Sequence, residues 1–371
     1  MIKDNNKPLF HPTFGSRPAQ IVGRTQVIED FAQGLREPIG SRERCRFYIG
    51  QRGMGKTALL LELADVAAEM DYVTASVTAY SGMNEDIIET VQRNGAKYIV
   101  EQKRKITGAS GGALGFSFGL TFSDEVREQY GFRAKLAMLC DELERHGKGL
   151  LILVDEATTS EEMRQLAITY QHLVGEEKNI AIVMAGLPHA VSGVLNDSVL
   201  TFLNRAYKSN LGPIKISEIK SYYTEAFKKL GLEIKESDIS KAAEATKGFP
   251  YMMQLVGYYI MKKNNSAVDI DEIVNEAKED MVSNVFEPIL RPLSDNDREF
   301  LVAMAVDEKT SKISAICKRL GKSNSYIQPY RARMIEAGII EAPRTGEVVF
   351  AVPYLAEYLR ANQLEKSAVI V

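Results

Sequence analysis

Apolar residues recur along this chain at two spacings, and the alternation between them outlines its first half. Val27, Ile28, Phe31 and Leu35 fall on one stripe of a helix from Thr25 to Leu35, which Pro38 and Gly40 close. A short strand, Arg46 to Ile49, precedes a glycine-rich turn. Leu59, Leu60, Leu63, Ala64 and Ala67 then predict a helix that packs on a sheet, and Tyr72 to Tyr80 is β-branched enough for the next strand. Residues 81 to 100 read as helix. Leu150 to Val154 and Ile180 to Ala185 are continuous apolar runs, the mark of strands buried on both faces, with a helix from Glu161 to Val174 between them. Strand, helix and strand in repetition predict an α/β unit around a parallel sheet.

Between these elements lies a segment of different character. Lys103, Arg104 and Lys105 precede a run in which Leu114, Phe116, Phe118, Leu120 and Phe122 occupy every second position. That period places all five on one strand face, read as a core or edge strand, with the alternative of an aromatic hairpin beside the basic cluster that could reach a partner subunit or nucleic acid; a helix from about Asp124 to His146 follows.

Beyond Pro213 the β signals stop. Ile219, Tyr223, Ala226, Phe227 and Leu230 share a helical stripe ending at Gly231, and further helices are expected at residues 237–246, 251–263 and 270–287. Past Pro288 and Pro292, Ser294 with Asp297 caps a helix through Val306. A second runs from Ile313 to Leu320 and stops at Gly321, and a third spans Ser325 to Ala337. Strands Ile339 to Ala342 and Glu347 to Val352 flank a turn at Arg344 to Gly346, and three helices with a hairpin make a winged-helix pattern. The expected organisation is an arm (1–14), an α/β core (15–215), a helical lid (216–290), a winged helix (291–362) and a tail (363–371).

Composition narrows the class. The 371 residues amount to two or three domains of ~150 each. With 46 Lys and Arg against 49 Asp and Glu, a net charge of -3 excludes a general polycation. Three scattered cysteines and four histidines show neither a C-x-x-C pair nor H-E-x-x-H, so a reduced compartment and no structural zinc are expected. The longest apolar stretch, Ile180 to Leu187, is too short to span a bilayer, and the polar start lacks a signal-peptide core, which points to the cytoplasm and no membrane partner.

The chemistry concentrates in two places. Gly50-Gln51-Arg52-Gly53-Met54-Gly55-Lys56-Thr57 matches G-x-x-x-x-G-K-[ST] between a strand and a helix, with Ala58 next in the helix. Glycines let backbone N–H groups converge on polyphosphate, the helix N-terminus adds its dipole, Lys56 neutralises the β- and γ-phosphates, and Thr57 offers a hydroxyl to Mg²⁺. Asp155 and Glu156 follow the strand Leu150 to Val154 at the end where a parallel sheet delivers side chains to its ligand crevice. There Asp155 can hold the Mg²⁺ shell and Glu156 can polarise a water in line with the γ-phosphate.

These features resemble the P-loop ATPases with a catalytic glutamate, and more narrowly the AAA+ type, over most of the chain. The resemblance implies ATP with Mg²⁺ as ligand and hydrolysis to ADP and phosphate. Ile21-Val22-Gly23-Arg24 looks like the segment that packs on adenine in initiator-type members. Ala185-Gly186-Leu187-Pro188 is similar to the strand end that usually carries a polar sensor, yet residues 183 to 187 include no Asn, Ser or Thr. Arg205 lies where the resemblance places an arginine finger, ahead of the final strand of the core. Gly248-Phe249-Pro250 is similar to the Gly-x-Pro signature of STAND-type signalling ATPases; the arginine usual near this point in AAA+ remodelling machines and initiators is absent, and Lys247 is the nearest cation.

In the third C-terminal helix, steps of 100° put Ile327, Tyr330, Met334 and Ile335 inward, with Arg331 packed beside them, and Ser325, Tyr326, Ala332 and Arg333 outward. A winged helix would offer Tyr326 and Arg333 to the major groove of double-stranded DNA and Arg344 to its backbone. Ten basic against eight acidic residues from Asn296 to Arg360 is a weak balance for that role. The sequence therefore supports a nucleotide-dependent switch acting on DNA, with ATP-dependent self-association or a partner protein. The alternative is a STAND-like signalling ATPase whose winged helix contacts protein.

Overall fold

The computed structural model describes residues 9–13, 17–96, 98, 116–118, 121–122, 130–263 and 269–368. It divides into two compact units, Arg24–Gly50 with Lys56–Leu211, and Met1–Gly23 with Gln51–Gly55 and Gly212–Val371.

The first of these is a layered α/β unit. Its elements are α1 (Thr25–Arg36), β1 (Cys45–Ile49), α2 (Lys56–Glu69), β2 (Tyr72–Thr78), α3 (Met83–Gly95), β3 (Phe116–Phe118), β4 (Thr121–Phe122), α4 (Phe132–Arg145), β5 (Gly149–Asp155), α5 (Glu161–Gly175), β6 (Ile180–Gly186), α6 (Pro188–Leu195) and β7 (Tyr207–Asn210). The main sheet is parallel with order β2-β5-β6-β1-β7. Side chains alternate across it with period two. Phe47, Ala75, Ile152 and Ile182 join residues of α3, α4, α5 and α6 on one face. Tyr48, Leu151, Leu153 and Val183 join α1 and α2 on the other. Both faces are thus covered, which is why β5 and β6 read as unbroken apolar runs.

Of the two readings of the run Leu114 to Phe122, the structure has the hairpin rather than the one strand: β3 and β4 pair antiparallel, Phe116 opposite Phe122 and Phe118 opposite Thr121. Strict alternation cannot tell one strand from two that fold back, because the period is the same in both. The Lys103 to Lys105 cluster and the start of the helix expected from Asp124 lie outside the described residues, and the described helix begins at Phe132.

The second unit opens with helices α7 (Ile216–Lys229), α8 (Glu236–Ala245), α9 (Pro250–Lys263) and α10 (Ile270–Met281). A turn of π-helix, Val282–Phe286, leads into α11 (Glu287–Leu290). Then follow α12 (Asp295–Ala305), β8 (Ser311–Lys312), α13 (Ile313–Leu320), α14 (Asn324–Glu336), β9 (Ile340–Glu341), β10 (Glu347–Phe350) and α15 (Leu355–Ala368). The last three strands form an antiparallel sheet, order β8-β10-β9. Ser294 and Asp297 make the expected capping box, and Gly321 closes α13 at φ 63°. Leu230 is corrected: it sits at the C-terminal cap of α7 and is 36% exposed, while Tyr222 takes the buried place. Tyr330 and Ile335 are only half-buried, leaving Ile327 and Met334 as the buried pair of α14. Strand β8 and helix α15 were not anticipated.

Phe10, in the proline-rich arm, is fully buried against Tyr222, Tyr223 and Phe227 at centroid distances of 5.5, 5.8 and 5.6 Å. Gly257 makes room for it, since a Cβ there would lie 2.2 Å from the ring. Burial of one such ring is worth about 2–3 kcal/mol, and the segment is further tied to the helices by the Tyr222 hydroxyl, which donates to the Leu9 carbonyl (2.9 Å), and by the His11 N–H, which donates to Gln254 Oε1 (3.0 Å). Among the described residues no helix is long and apolar enough to cross a membrane.

Candidate functional site

The α/β unit places the carboxyl ends of β1, β6 and β5 side by side. Gly50, directly after β1, donates its N–H to the Gly186 carbonyl at the end of β6 (3.2 Å), and Ala157, just past β5, donates to the Ala185 carbonyl (2.8 Å). β1 and β5 are therefore two strand spacings apart, roughly 10 Å, with β6 between them. Lys56 is the first residue of α2; it is buried, and its Nζ donates to the Gly50 carbonyl at 3.0 Å. Thr57 Oγ1 donates to Asp155 Oδ2 at 2.5 Å, and the Glu156 N–H donates to Asp155 Oδ1 at 2.9 Å. Asp155 is thus oriented through both carboxylate oxygens. Glu156 has an exposed side chain and a left-handed backbone, φ 52°. That region costs a residue with a Cβ about 1 kcal/mol or more, and such residues concentrate at functional sites.

The loop residues Gln51–Gly55 belong to the second unit. Gly53 and Gly55 have φ 77° and 78°, the left-handed geometry that turns successive N–H groups inward. Helix α2 begins at Lys56, and a helix start turns its first N–H groups outward along the axis. A Cβ on Gly53 would lie 2.2 Å from Phe249 Cζ, and one on Gly55 would lie 4.0 Å from Pro250 Cγ. Arg52 is exposed, whereas Gln51 and Met54 are buried. Val22 is buried, and Gly23 (φ 69°) passes so close to Ile214 that a Cβ would meet its Cγ2 at 2.6 Å. Ile214 in turn donates its N–H to the Gly248 carbonyl at 2.9 Å. Val22, Gly23, Phe249 and Pro250 therefore belong to one packed neighbourhood of the second unit. Arg24 starts α1 in the α/β unit, its carbonyl accepting from the Ile28 N–H. Phe249 was missed by sequence reasoning, although an aromatic between the glycine and proline of the signature was the available signal.

The departure at the sensor position has a steric reason. A Cβ on Gly186 would lie 2.8 Å from the Ala157 carbonyl, so a side chain at residue 186 does not fit without a backbone shift. Arg205 ends a 3-10 turn, Thr201–Arg205, immediately before β7 and is exposed.

The C-terminal residues need one correction. Tyr326 is 41% exposed, with its ring 5.4 Å from Tyr330 and the Lys322 ammonium 5.0 Å above it. Arg344 is exposed on the hairpin. Arg333, however, is not a free cation: Nε and Nη2 both donate to Asp297 Oδ1, at 3.2 and 2.7 Å. Asp297 is buried and completes the cap of α12, so the guanidinium is committed to closing α14 onto α12. Arg331 is packed as expected, its Nε buried without a hydrogen-bond partner. Helix α14 also carries an internal proline, Pro329, which leaves the Ser325 carbonyl without its usual donor in the half of the helix that bears Tyr326.

The strand order, the loop after β1 and the acidic pair after β5 together define the fold of the AAA+ P-loop ATPases. Among solved structures, the chain is similar to the Walker-type ATPase of Pyrococcus abyssi, with 17% identity, a TM-score of 0.68, and 95% of this chain and 99% of that one covered. It is also similar to the Aeropyrum pernix ORC2 protein, solved as ADPNP-ADP complexes, with 12% identity, a TM-score of 0.61, and 96% and 98% covered. Cdc6p from Pyrobaculum aerophilum follows at 15% identity, a TM-score of 0.50, and 95% and 98% covered. A family model described as a domain of unknown function, DUF8462, matches residues 283–359. No curated protein matches the chain.

Proposed function

We propose that this chain binds ATP with Mg²⁺ and hydrolyses it. The observation that carries the reading is Thr57 and Glu156 hydrogen-bonded to Asp155, with Lys56 on the Gly50 carbonyl, at the carboxyl ends of β1 and β5. The donor set suits the ion: a hydroxyl and a carboxylate oxygen already converge at 2.5 Å, hard ligands of the kind Mg²⁺ takes while keeping several waters. When bound there, Mg²⁺ would neutralise charge on the β- and γ-phosphates. The chain's own groups do the rest. Backbone N–H groups of the loop and of the first turn of α2 bind the phosphates, and Lys56 leaves the Gly50 carbonyl to neutralise them. Glu156 takes the proton of the attacking water, its carboxylate projected by the left-handed backbone beside the fixed Asp155. That the ORC2 protein was solved with ADPNP and ADP supports the choice of nucleotide. Lys56→Ala should lose nucleotide affinity, whereas Glu156→Gln should retain it and lose about 10²–10⁴-fold in hydrolysis. Equal turnover by Glu156→Gln and the unaltered chain would refute the assignment.

We further propose that hydrolysis switches the affinity of the C-terminal segment for duplex DNA, with Tyr326 and Lys322 at the start of α14 and Arg344 on the hairpin as contacts, and that Arg205 acts on a neighbouring copy's nucleotide. Three helices and a hairpin in winged-helix order, with Tyr326 exposed, support the DNA reading. A specific observation favours the second reading, a signalling switch that contacts protein: pairing with Asp297 withdraws Arg333 from a segment whose basic excess is already small.

A further inference from the structure

Two of the five non-glycine residues with left-handed backbones among those described, Lys247 (φ 49°) and Tyr354 (φ 67°), meet each other in the second unit. Lys247 lies in the turn between α8 and α9; Tyr354 immediately precedes α15. The Lys247 ammonium sits 3.7 Å from the centroid of the Tyr354 ring and 3.1 Å from Glu357 Oε1 in the first turn of α15. Lys278 of α10 repeats the pattern, 4.4 Å from the same ring and 3.4 Å from Glu357 Oε2. The Tyr354 hydroxyl donates to the Ala245 carbonyl at the end of α8, 2.5 Å away. One ring and one carboxylate of α15 thus hold two lysines and a carbonyl of the helical bundle.

The turn so gripped is the one that carries Phe249. Buried Thr246 shapes it, donating its hydroxyl to the Ala243 carbonyl (2.7 Å) and accepting from the Gly248 N–H (3.1 Å). Gly248 lies against Pro213 and Ile214, with no space for a side chain, so this turn has little freedom to relax locally. Phe249 is buried with its ring over Gly53, and Pro250 follows beside Gly55. Strain held at two backbone positions facing each other persists only where the surroundings over-determine it.

We propose that Lys247, Tyr354 and Glu357 form a latch through which the seating of α15 positions Phe249 on the phosphate loop, making them positioning residues for the nucleotide. The proposal rests on the reading of that loop as the nucleotide site. Releasing the latch loosens the turn, withdraws support from Gly53 and lowers the preorganisation of the loop's N–H groups for phosphate. By linkage, nucleotide binding tightens the seating of α15 to the same degree.

The experiment uses the full chain with Mg²⁺ and ADP as probe, and two readouts: calorimetric Kd, and amide hydrogen exchange of residues 51–57 without nucleotide. Glu357→Ala and Lys247→Ala should each weaken binding about 3- to 10-fold and speed exchange in that segment. The double variant should be no worse than the single ones, and Lys247→Arg, which keeps a cation over the ring, should bind as the unaltered chain does. Both residues are about half exposed, with side-chain exposures of 47% and 46%, so these variants keep the fold. Unchanged affinity and exchange in well-folded variants would overturn the proposal, as would additive losses. If the unaltered chain fails to bind ADP, the nucleotide reading falls and the latch's role toward nucleotide falls with it. Exchange in residues 51–57 then separates the two failures, since it rises on release whenever the latch itself is real.

Discussion

The backbone of Glu156 offers a stability measurement that isolates function from fold. At φ 52°, a residue with a Cβ pays about 1–2 kcal/mol relative to the right-handed region, and glycine does not. Glycine instead loses more freedom on folding, by about 0.5–1 kcal/mol relative to alanine. Glu156→Gly should therefore be more stable than Glu156→Ala by the difference, about 0.5–1 kcal/mol. Comparing these two variants cancels whatever the carboxylate itself contributes, because both lack it. With an m-value of about 3 kcal/mol/M, the offset is about 0.2–0.3 M in urea midpoint, readable by far-ultraviolet circular dichroism. Both variants should lose hydrolysis by about 10²–10⁴-fold. Glu177, also left-handed (φ 59°) but in the exposed turn after α5, supplies the comparison: the same glycine advantage with hydrolysis retained. An alanine variant at 156 as stable as the glycine one would refute the strained geometry, and with it the argument that strain is kept there for the carboxylate's placement.

Three further outcomes are expected. Burial by itself would raise the Asp297 carboxyl, but hydrogen bonds from Ser294 and Arg333 outweigh it and hold the group below its ordinary 3.8. Its stabilisation is thus complete above about pH 4 and lost as pH falls through the lowered value; Arg333→Gln should move acid unfolding to higher pH and cost about 1–3 kcal/mol near neutrality, and an unchanged acid midpoint would count against the pair. Mixing Arg205→Ala with Glu156→Gln should restore part of the turnover each lacks, because a mixed interface can join an intact finger to an intact glutamate, whereas a monomer with concentration-independent activity excludes this. With Arg333 committed to Asp297, Lys322 and Arg344 remain, so log K for duplex DNA should fall against log salt with a slope near -2, and Arg344→Ala should flatten it by about one; an absence of salt-sensitive binding at any nucleotide state gives the C-terminal segment to protein contact.

Much of the α/β unit was legible because its strands are buried on both faces. Leu150 to Val154 and Ile180 to Ala185 admit no polar residue, so their identity and approximate limits follow from hydrophobicity alone, and the phosphate loop fixes where β1 and α2 meet. β7 was expected only as the final strand ahead of which Arg205 lies: its residues Tyr207–Asn210 alternate between half-buried and exposed and pair with β1 on one side only, so its sequence lacks the apolar run. Helix α15 escaped because its start is set by tertiary contacts of Tyr354 and Glu357 rather than by a cap or a strong apolar stripe. The run Leu114 to Phe122 shows the complementary limit, since period two specifies a strand and leaves open where the chain reverses.

For the site, legibility followed the locality of the chemistry. Lys56, Thr57, Asp155 and Glu156 lie at strand ends, and a motif plus the end of a buried strand is enough to bring two distant segments of sequence to adjacent positions. The strain at Glu156 and the ring of Phe249 over Gly53 are different in kind. Nothing in the letters of Gly53 distinguishes a glycine needed for its φ from one needed for absent volume, and here both apply: φ is 77°, and a Cβ would strike the ring. The pairing of Arg333 was illegible for the same reason. Helical periodicity places a side chain on a face, but whether that face meets solvent or a carboxylate depends on where α12 lies, and Asp297 is 36 residues away in sequence. A cation on an outward stripe counts toward nucleic-acid binding only once its partners are known. This is why the charge balance of the C-terminal segment overstates what it can offer to phosphate: of the cations Lys322, Arg333 and Arg344, Arg333 already has its anion.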